Sequence, residues 1–149
     1  MKTNSFSRRK FIKTVTAAGA GTLVMKNSLF ANPSVIKRNP SLQGKKVLWV
    51  YGGWKGHDPK KCTDLFVPWM RQEGAEVIVS DSLDSYLDEE LMSSVDLVVQ
   101  IMTMSDITKD QEQMLLKTIK NGTGLAGWHG GLGDAFRTRV AYQFLVGGQ

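Results

Sequence analysis

The sequence predicts a doubly wound α/β domain with a mostly parallel sheet, beginning near residue 45 of the 149-residue chain. Two observations carry this prediction. Short apolar runs with β-branched residues alternate with longer segments in which apolar residues recur at helical spacing. Gly, Pro and Asn residues separate these segments, as is typical of strand and helix ends. Such alternation implies right-handed βαβ crossovers, which place helices on both faces of the sheet and produce a three-layer sandwich.

Four strands are expected, each a short apolar run bounded by polar residues or glycine. They cover residues 47–51, 76–80, 95–102 and 124–128. The first helix should have Asp58 as its N-cap and Pro59 in its first turn. Helical spacing predicts that its buried face comprises Cys62, Leu65, Phe66, Trp69 and Met70.

Three further helical segments follow along the chain. Residues 83–92 form a short acidic one, and a longer helix starts at the capping box of Thr108 and Gln111. The last helix is expected to begin at Asp134 and to face the core with Phe136, Val140 and Phe144. If the strand order is 2-1-3-4, the domain has the flavodoxin-like arrangement.

The excess positive charge of the chain is concentrated in its first 31 residues. The whole chain has a formal net charge of +5, but residues 1–31 carry six basic and no acidic residues, whereas residues 32–149 carry 13 basic and 14 acidic residues. Nucleic-acid binding needs clustered Lys and Arg side chains on the folded domain. A nucleic-acid partner is therefore not expected.

The amino-terminal segment has the pattern of a twin-arginine export signal. Arg8 and Arg9 are followed by Phe11 and Ile12, and a mildly apolar stretch rich in Ala, Gly and Thr covers residues 14–25. This stretch is too short and too weakly apolar to span a bilayer, which takes about 20 apolar residues. We therefore predict export to the periplasm through the twin-arginine pathway.

The chain accordingly divides into a signal peptide over residues 1–31, a linker over residues 32–44 and a domain over residues 45–149. Cleavage is expected after Ala31 and leaves no stable membrane span, whereas an uncleaved signal would act as an anchor. Cys62 is the single cysteine, so no intramolecular disulfide can form. We expect Cys62 to be a buried structural residue, with a nucleophilic role as the alternative.

Three loops at the carboxyl ends of the predicted strands form the candidate site, because ligands of open parallel sheets bind where the strand order reverses. They cover residues 52–57, 103–106 and 129–134, and they contain both histidines of the chain, His57 and His129. Histidine suits acid/base catalysis and metal binding. We predict His129 and His57 as catalytic residues; alternatively, each only caps or packs within its loop.

Six further residues at this edge are candidates for substrate binding: Trp54, Trp128, Gly130, Gly131, Asp134 and Arg137. The tryptophans offer flat rings on which a sugar can stack, although core positions are the alternative. The glycines permit a tight turn whose N–H groups would face an oxyanion or a sugar oxygen. Asp134 would bind hydroxyl groups or orient His129, or would only cap a helix. Arg137 would pair with Asp134, bind an anionic group or remain a solvated surface residue.

No metal site is predicted, and no cofactor is assigned. A structural zinc site uses four ligands and a catalytic one usually three, so the two histidines fall short. Asp58, Asp106 or Asp134 would complete such a site, although their spacing does not demand it.

Two segments resemble the trehalose-utilisation (ThuA-like) family. Residues 127–137 (GWHGGLGDAFR), with Tyr142 and residues 145–149 (LVGGQ), resemble its signature, and residues 52–59 (GGWKGHDP) resemble its first loop. The resemblance extends from about Lys45 to the end of the chain. It implies a class I glutamine amidotransferase-like fold and a role connected with sugars or glycosides. Because histidine stands at the position of the amidotransferase nucleophile, a functional glutamine amidotransferase is not expected.

Three hypotheses about function remain open. The first is an exported enzyme that acts on a small-molecule sugar or glycoside, such as trehalose, in the crevice of the two histidines. The second is a non-catalytic carbohydrate-binding module that uses the same crevice. The third is an inactive fragment of a longer protein, since the resemblance implies a longer domain and the chain reaches residue 149 where another strand is expected.

Overall fold

The computed structural model of the protein describes residues 41–148. The predicted export signal and most of the predicted linker lie outside these residues. The described chain opens with a turn in which Lys45 N donates to Leu42 O at 3.0 Å. The Leu42 side chain packs against the core of the domain, so the turn leads directly into the first strand.

Four parallel strands form the sheet of the described residues, in the predicted order β2-β1-β3-β4. Their bounds are β1 (Lys46–Gly53), β2 (Glu76–Ser80), β3 (Leu97–Thr103) and β4 (Gly124–Ala126). The two central strands are buried on both faces, which explains why they read as nearly continuous apolar runs. The flavodoxin-like α/β prediction is confirmed.

Helices cover both faces of the sheet. On one face, α1 (Pro59–Gln72) packs against Val47 and Trp49 of β1. The other face carries a 3-10 turn (Leu83–Leu87) and three helices, which are α2 (Glu89–Ser94), α3 (Lys109–Lys120) and α4 (Val140–Val146). Over residues 41–148, none of the helices has the length and apolar character needed to cross a membrane.

The capping signals of α3 are confirmed. Thr108 Oγ1 accepts from Gln111 N at 3.3 Å, and the Gln111 side chain accepts in return from Thr108 N at 3.0 Å. The helix buries Leu115 completely and ends at Asn121.

At α1 the predicted N-cap position is right, but the Asp58 side chain does not cap the helix. It forms an ion pair of 3.0 Å with Lys61 instead.

The predicted buried face of α1 is wrong for three of its five members. Leu65, Phe66 and Trp69 are exposed, Leu65 by 67%, and Cys62 is only half-buried. The helix instead buries Pro59, Thr63, Val67 and Met70. Thr63 belongs to this face because its Oγ1 accepts from Trp49 Nε1 at 2.8 Å and donates to Pro59 O at 2.9 Å. A hydrogen-bonded polar residue at an inward position cannot be read from apolar periodicity.

The predicted start of the last helix is also wrong. Residues 129–138 form turns and bends, and α4 begins only at Val140. Phe136 is buried but precedes the helix, whereas Val140 is 69% and Phe144 84% exposed. Tyr142 is the residue that α4 buries. Asp134 does not cap a helix because its carboxylate is engaged by the side chain of Arg137.

Candidate functional site

The loops after β1 and β3 are joined at the carboxyl edge of the sheet. Trp54 N donates to Thr103 O at 2.9 Å, and Thr103 Oγ1 donates to Trp54 O at 2.9 Å. Gly53 makes this close approach possible, since a Cβ at this position would lie 1.8 Å from Thr103 O. The predicted convergence of these two loops is therefore observed, and their backbones are held in a fixed relation.

His57 lies at the end of a single 3-10 turn (Lys55–His57) that follows Trp54. Its ring meets the Trp54 ring edge to face, with 4.7 Å between the ring centroids. The next residue, Asp58, has a left-handed backbone with φ 48°. A positive φ is costly for residues other than glycine, and such strain is concentrated at functional loops. The strained residue fixes where the turn ends and α1 begins.

His129 occupies a tight turn that follows β4. Gly131 N and Leu132 N both donate to Trp128 O at 2.8 Å, and Asp134 N donates to His129 O at 2.8 Å. The turn is fastened to the sheet by Met102 N, which donates to Gly131 O at 2.9 Å. The side chain of His129 is exposed to solvent. A rigid backbone thus presents an accessible imidazole at the carboxyl edge.

The two histidine loops touch through Gly130. A Cβ at Gly130 would lie 2.6 Å from His57 Nδ1, which is closer than real Cβ contacts come. Only glycine therefore lets the His57 ring lie against this turn. Residues 72 positions apart in the chain are in this way brought into one crevice.

Asp134 lies on the same turn as His129, and its side chain pairs with Arg137. Its carboxylate accepts two hydrogen bonds from Arg137, from Nε at 2.6 Å and from the Nη2 group at 2.8 Å. These bonds lower the pKa of Asp134 below its ordinary value of 3.8; burial opposes the shift, and the charges of Arg137, His129 and His57 favour it. The carboxylate thus stays ionised within electrostatic reach of both imidazoles.

The two candidate tryptophans lie in different surroundings. Trp54 is 53% exposed and contacts His57. Trp128 is 41% exposed and packs against Phe66 and Trp49, at centroid distances of 5.3 Å and 6.3 Å. Trp54 therefore adjoins the histidine pair directly, whereas Trp128 belongs partly to an aromatic cluster on the α1 face.

Gly130 and Gly131 differ in whether their backbone N–H groups already donate a hydrogen bond. The N–H group of Gly131 already donates to Trp128 O within the turn. It therefore does not face a substrate oxygen, contrary to the expectation from the sequence. Gly130 N–H has no hydrogen-bond partner among residues 41–148. Gly130 is thus the glycine of this pair whose N–H remains available to a ligand oxygen at the crevice.

A metal ion finds no ready set of ligands in the part of the chain that the structure describes. Nowhere among these residues do three His, Cys, Asp or Glu side chains lie together as a metal site requires. Asp134 lies on the turn of His129, but Arg137 donates to both of its oxygens.

A cavity of about 490 Å³ lies at the opposite, amino-terminal edge of the sheet. Its charged groups, Lys45 and Asp96, satisfy each other in an ion pair of 2.8 Å. The bond from Lys45 lowers the pKa of Asp96, so this carboxylate is not set up as a proton acceptor near neutral pH. The crevice of the two histidines is therefore the better candidate for acid/base chemistry.

Two features of the site were not predicted from the sequence. Met104, which follows β3, has a positive φ of 44°, and apart from glycines it shares this conformation only with Asp58 among the described residues. Gln100 is fully buried inside β3 and donates to Gly131 O at 3.2 Å. A single polar residue within the apolar run of residues 97–102 is a signal that would have identified Gln100.

The chain matches the model of a known protein family. The model of the family described as ThuA, trehalose utilisation, matches residues 46–149, which cover the whole sheet and all three loops of the crevice. No curated protein and no solved structure matches the chain. Because the family model covers more than half of the sequence, the chain belongs to the ThuA family.

Proposed function

We propose that the protein is an exported enzyme that acts on a sugar or glycoside in the crevice between His57 and His129. The observation that carries this proposal is that Gly130 lets the His57 ring lie against the turn of His129, and that Asp134 on the same turn is paired with Arg137. Membership of a family named for trehalose utilisation supports a carbohydrate as the ligand. Acid/base catalysis is the chemistry that such a group of side chains serves.

Each residue has a distinct role in this proposal. His129, exposed on its rigid turn, exchanges a proton with a sugar hydroxyl or with the carbon next to a sugar carbonyl. Asp134, held by Arg137, orients His129, and His57 assists the catalysis from across the crevice. Gly130 N–H donates to a substrate oxygen, and the exposed face of Trp54 stacks on the sugar ring.

Titration of the full-length protein with trehalose, glucose and their 3-keto derivatives tests the proposal. The chain contains two histidines, so its imidazole NMR signals form a simple spectrum that reports directly on the crevice. We expect both signals to shift as a sugar binds, with matching heat in calorimetry. A keto sugar is included because a carbonyl acidifies the adjacent C–H bond, which a histidine base can then deprotonate.

The matched control for this titration is Phe144→Ala, which removes an exposed apolar side chain from α4 outside the crevice. Binding should be unchanged in that variant and weakened in Trp54→Ala. If a folded protein gives no shift of either histidine with any of these sugars, the carbohydrate proposal is wrong.

A non-catalytic carbohydrate-binding module is the second candidate. The exposure of the Trp54 ring beside His57 favours it, because an aromatic face next to a polar group suffices for sugar recognition. In a module, sugar binding would depend on Trp54 and His129, while prolonged incubation would leave every sugar unchanged.

We further propose that residues 1–31 direct the protein through the twin-arginine pathway to the periplasm. The basis is the Arg8–Arg9 pair with the weakly apolar stretch behind it. Replacing both arginines by lysine keeps the charge but removes the pair. We expect cell fractionation to find the wild-type protein in the periplasm and this variant in the cytoplasm. Lys10→Arg is the matched control and should be exported; equal export of all three proteins would contradict the proposal.

A further inference from the structure

We propose that Gln100 and Tyr142 are positioning residues that hold the His129 turn against His57. This inference rests on the proposed function, because it concerns how the same crevice is set for its ligand. It assigns a role to two buried side chains that do not themselves reach the crevice.

A continuous chain of hydrogen bonds runs beneath the turn. Tyr86 Oη donates to Gln100 Oε1 at 2.9 Å, and Gln100 Nε2 donates to Tyr142 Oη at 2.7 Å. Tyr142 Oη in turn donates to Leu132 O at 2.6 Å, while the second N–H of Gln100 donates to Gly131 O at 3.2 Å. All three side chains are completely buried.

The chain has only one consistent direction of donation. Both N–H bonds of the Gln100 amide are used, and its oxygen accepts from Tyr86, so the orientation of the amide is determined. Tyr142 accepts from Gln100 and must therefore donate its own proton to Leu132 O. A fully satisfied buried network selects one arrangement of its members, whereas an apolar core of the same volume would tolerate several.

The network ends on two consecutive carbonyl groups of the turn that carries His129. Gly131 O accepts from Gln100 as well as from Met102 N, so both of its lone pairs are used. Leu132 O accepts from Tyr142. These bonds determine the distance between the turn and β3. This distance must be accurate, because Gly130 on the same turn already leaves no space for a Cβ beside the His57 ring.

Two variants remove the bonds to the turn, and a third serves as the matched control. Tyr142→Phe removes the bond to Leu132 O, and Gln100→Met removes the bond to Gly131 O at similar volume. Tyr86→Phe deletes a buried hydroxyl at the far end of the chain but leaves both bonds to the turn. All three variants should lose stability, so stability alone does not distinguish positioning from packing.

The distinguishing readout is the nuclear Overhauser contact between Gly130 Hα and the His57 ring in the free full-length protein, together with the ring-current shift of that Hα. We expect the contact to weaken and the shift to move toward the random-coil position in Tyr142→Phe and Gln100→Met, but not in Tyr86→Phe. Sugar affinity should fall by about threefold to tenfold in the first two variants, the change that loss of one net hydrogen bond produces.

Two results would overturn the proposal: an unchanged Gly130–His57 contact in both turn variants, or an equal change in Tyr86→Phe. If Tyr142→Phe does not fold, Gln100→Met decides alone. The contact is measured without any ligand, so its outcome is independent of sugar binding. A wild-type protein that binds no sugar would refute the proposed function, while the contact in the free protein would still decide whether Gln100 and Tyr142 position the turn.

Discussion

Replacement of His129 by alanine is expected to lower turnover of the sugar substrate by about 10²–10⁴-fold while leaving its binding within a few-fold of the wild type. The imidazole is exposed at the end of a rigid turn, so its removal does not open the core. What is lost is the group that exchanges the proton in the proposed reaction. The measurement is steady-state turnover and calorimetric affinity for whichever sugar the titration identifies.

His129→Gln is the informative companion variant. Glutamine keeps a polar side chain able to hydrogen bond to a sugar, but it does not transfer protons near neutral pH. Turnover should therefore be lost in both variants, with tighter binding in the glutamine variant than in the alanine variant. A wild-type protein that binds sugar without changing it, and loses that binding in His129→Ala, would support the carbohydrate-binding module and reject the enzyme.

Replacement of Gly53 by alanine is expected to have the largest effect on stability, lowering the free energy of unfolding by about 3–5 kcal/mol. The added Cβ would lie 1.8 Å from Thr103 O and 2.7 Å from Thr103 C, which are backbone atoms of β3. Relief of this clash requires separating the carboxyl ends of β1 and β3, which would break the bond from Trp54 N to Thr103 O. Urea denaturation with linear extrapolation measures the change.

Gly44→Ala is the matched control for this substitution. Gly44 has φ +70°, close to the +78° of Gly53, but a Cβ there would meet nothing within 4 Å. The control should cost only the left-handed strain of alanine, about 1–2 kcal/mol. The difference between the two variants then isolates the contact with Thr103. Equal losses of stability would show that the backbone conformation, and not the close approach of the strands, accounts for the glycine.

The architecture was predictable because its signals are local. The apolar runs around Val47–Val50 and Val98–Met102 are buried on both faces of a parallel strand, and such strands have no polar face to obscure them. The capping box of Thr108 and Gln111 is likewise a property of four consecutive residues. The rule that ligands bind at the carboxyl edge then placed both histidines in one region from strand order alone.

The buried faces of the helices were predicted less well. An apolar residue is not always buried, nor a polar one always exposed, because burial depends on which other segment packs against the helix. Thr63 faces inward since Trp49 Nε1 needs an acceptor inside the core. Leu65 and Phe144 are apolar by sequence but exposed, because no described residues cover those sides of α1 and α4. The early start assigned to the last helix failed for a related reason: the pairing of Asp134 with Arg137 replaces the expected cap.

The sequence by itself determined the flavodoxin-like α/β class, the ThuA resemblance and the placing of His57 and His129 at one edge of the sheet. Only the tertiary structure decided that Gly130 lies against the His57 ring, that Arg137 holds the Asp134 carboxylate, and that Gln100 and Tyr142 lie beneath the turn. The physical reason is the separation along the chain of the residues that interact. Periodicity and capping depend on neighbours within a few residues, whereas a site depends on distances of a few ångströms between segments that the chain joins only after folding.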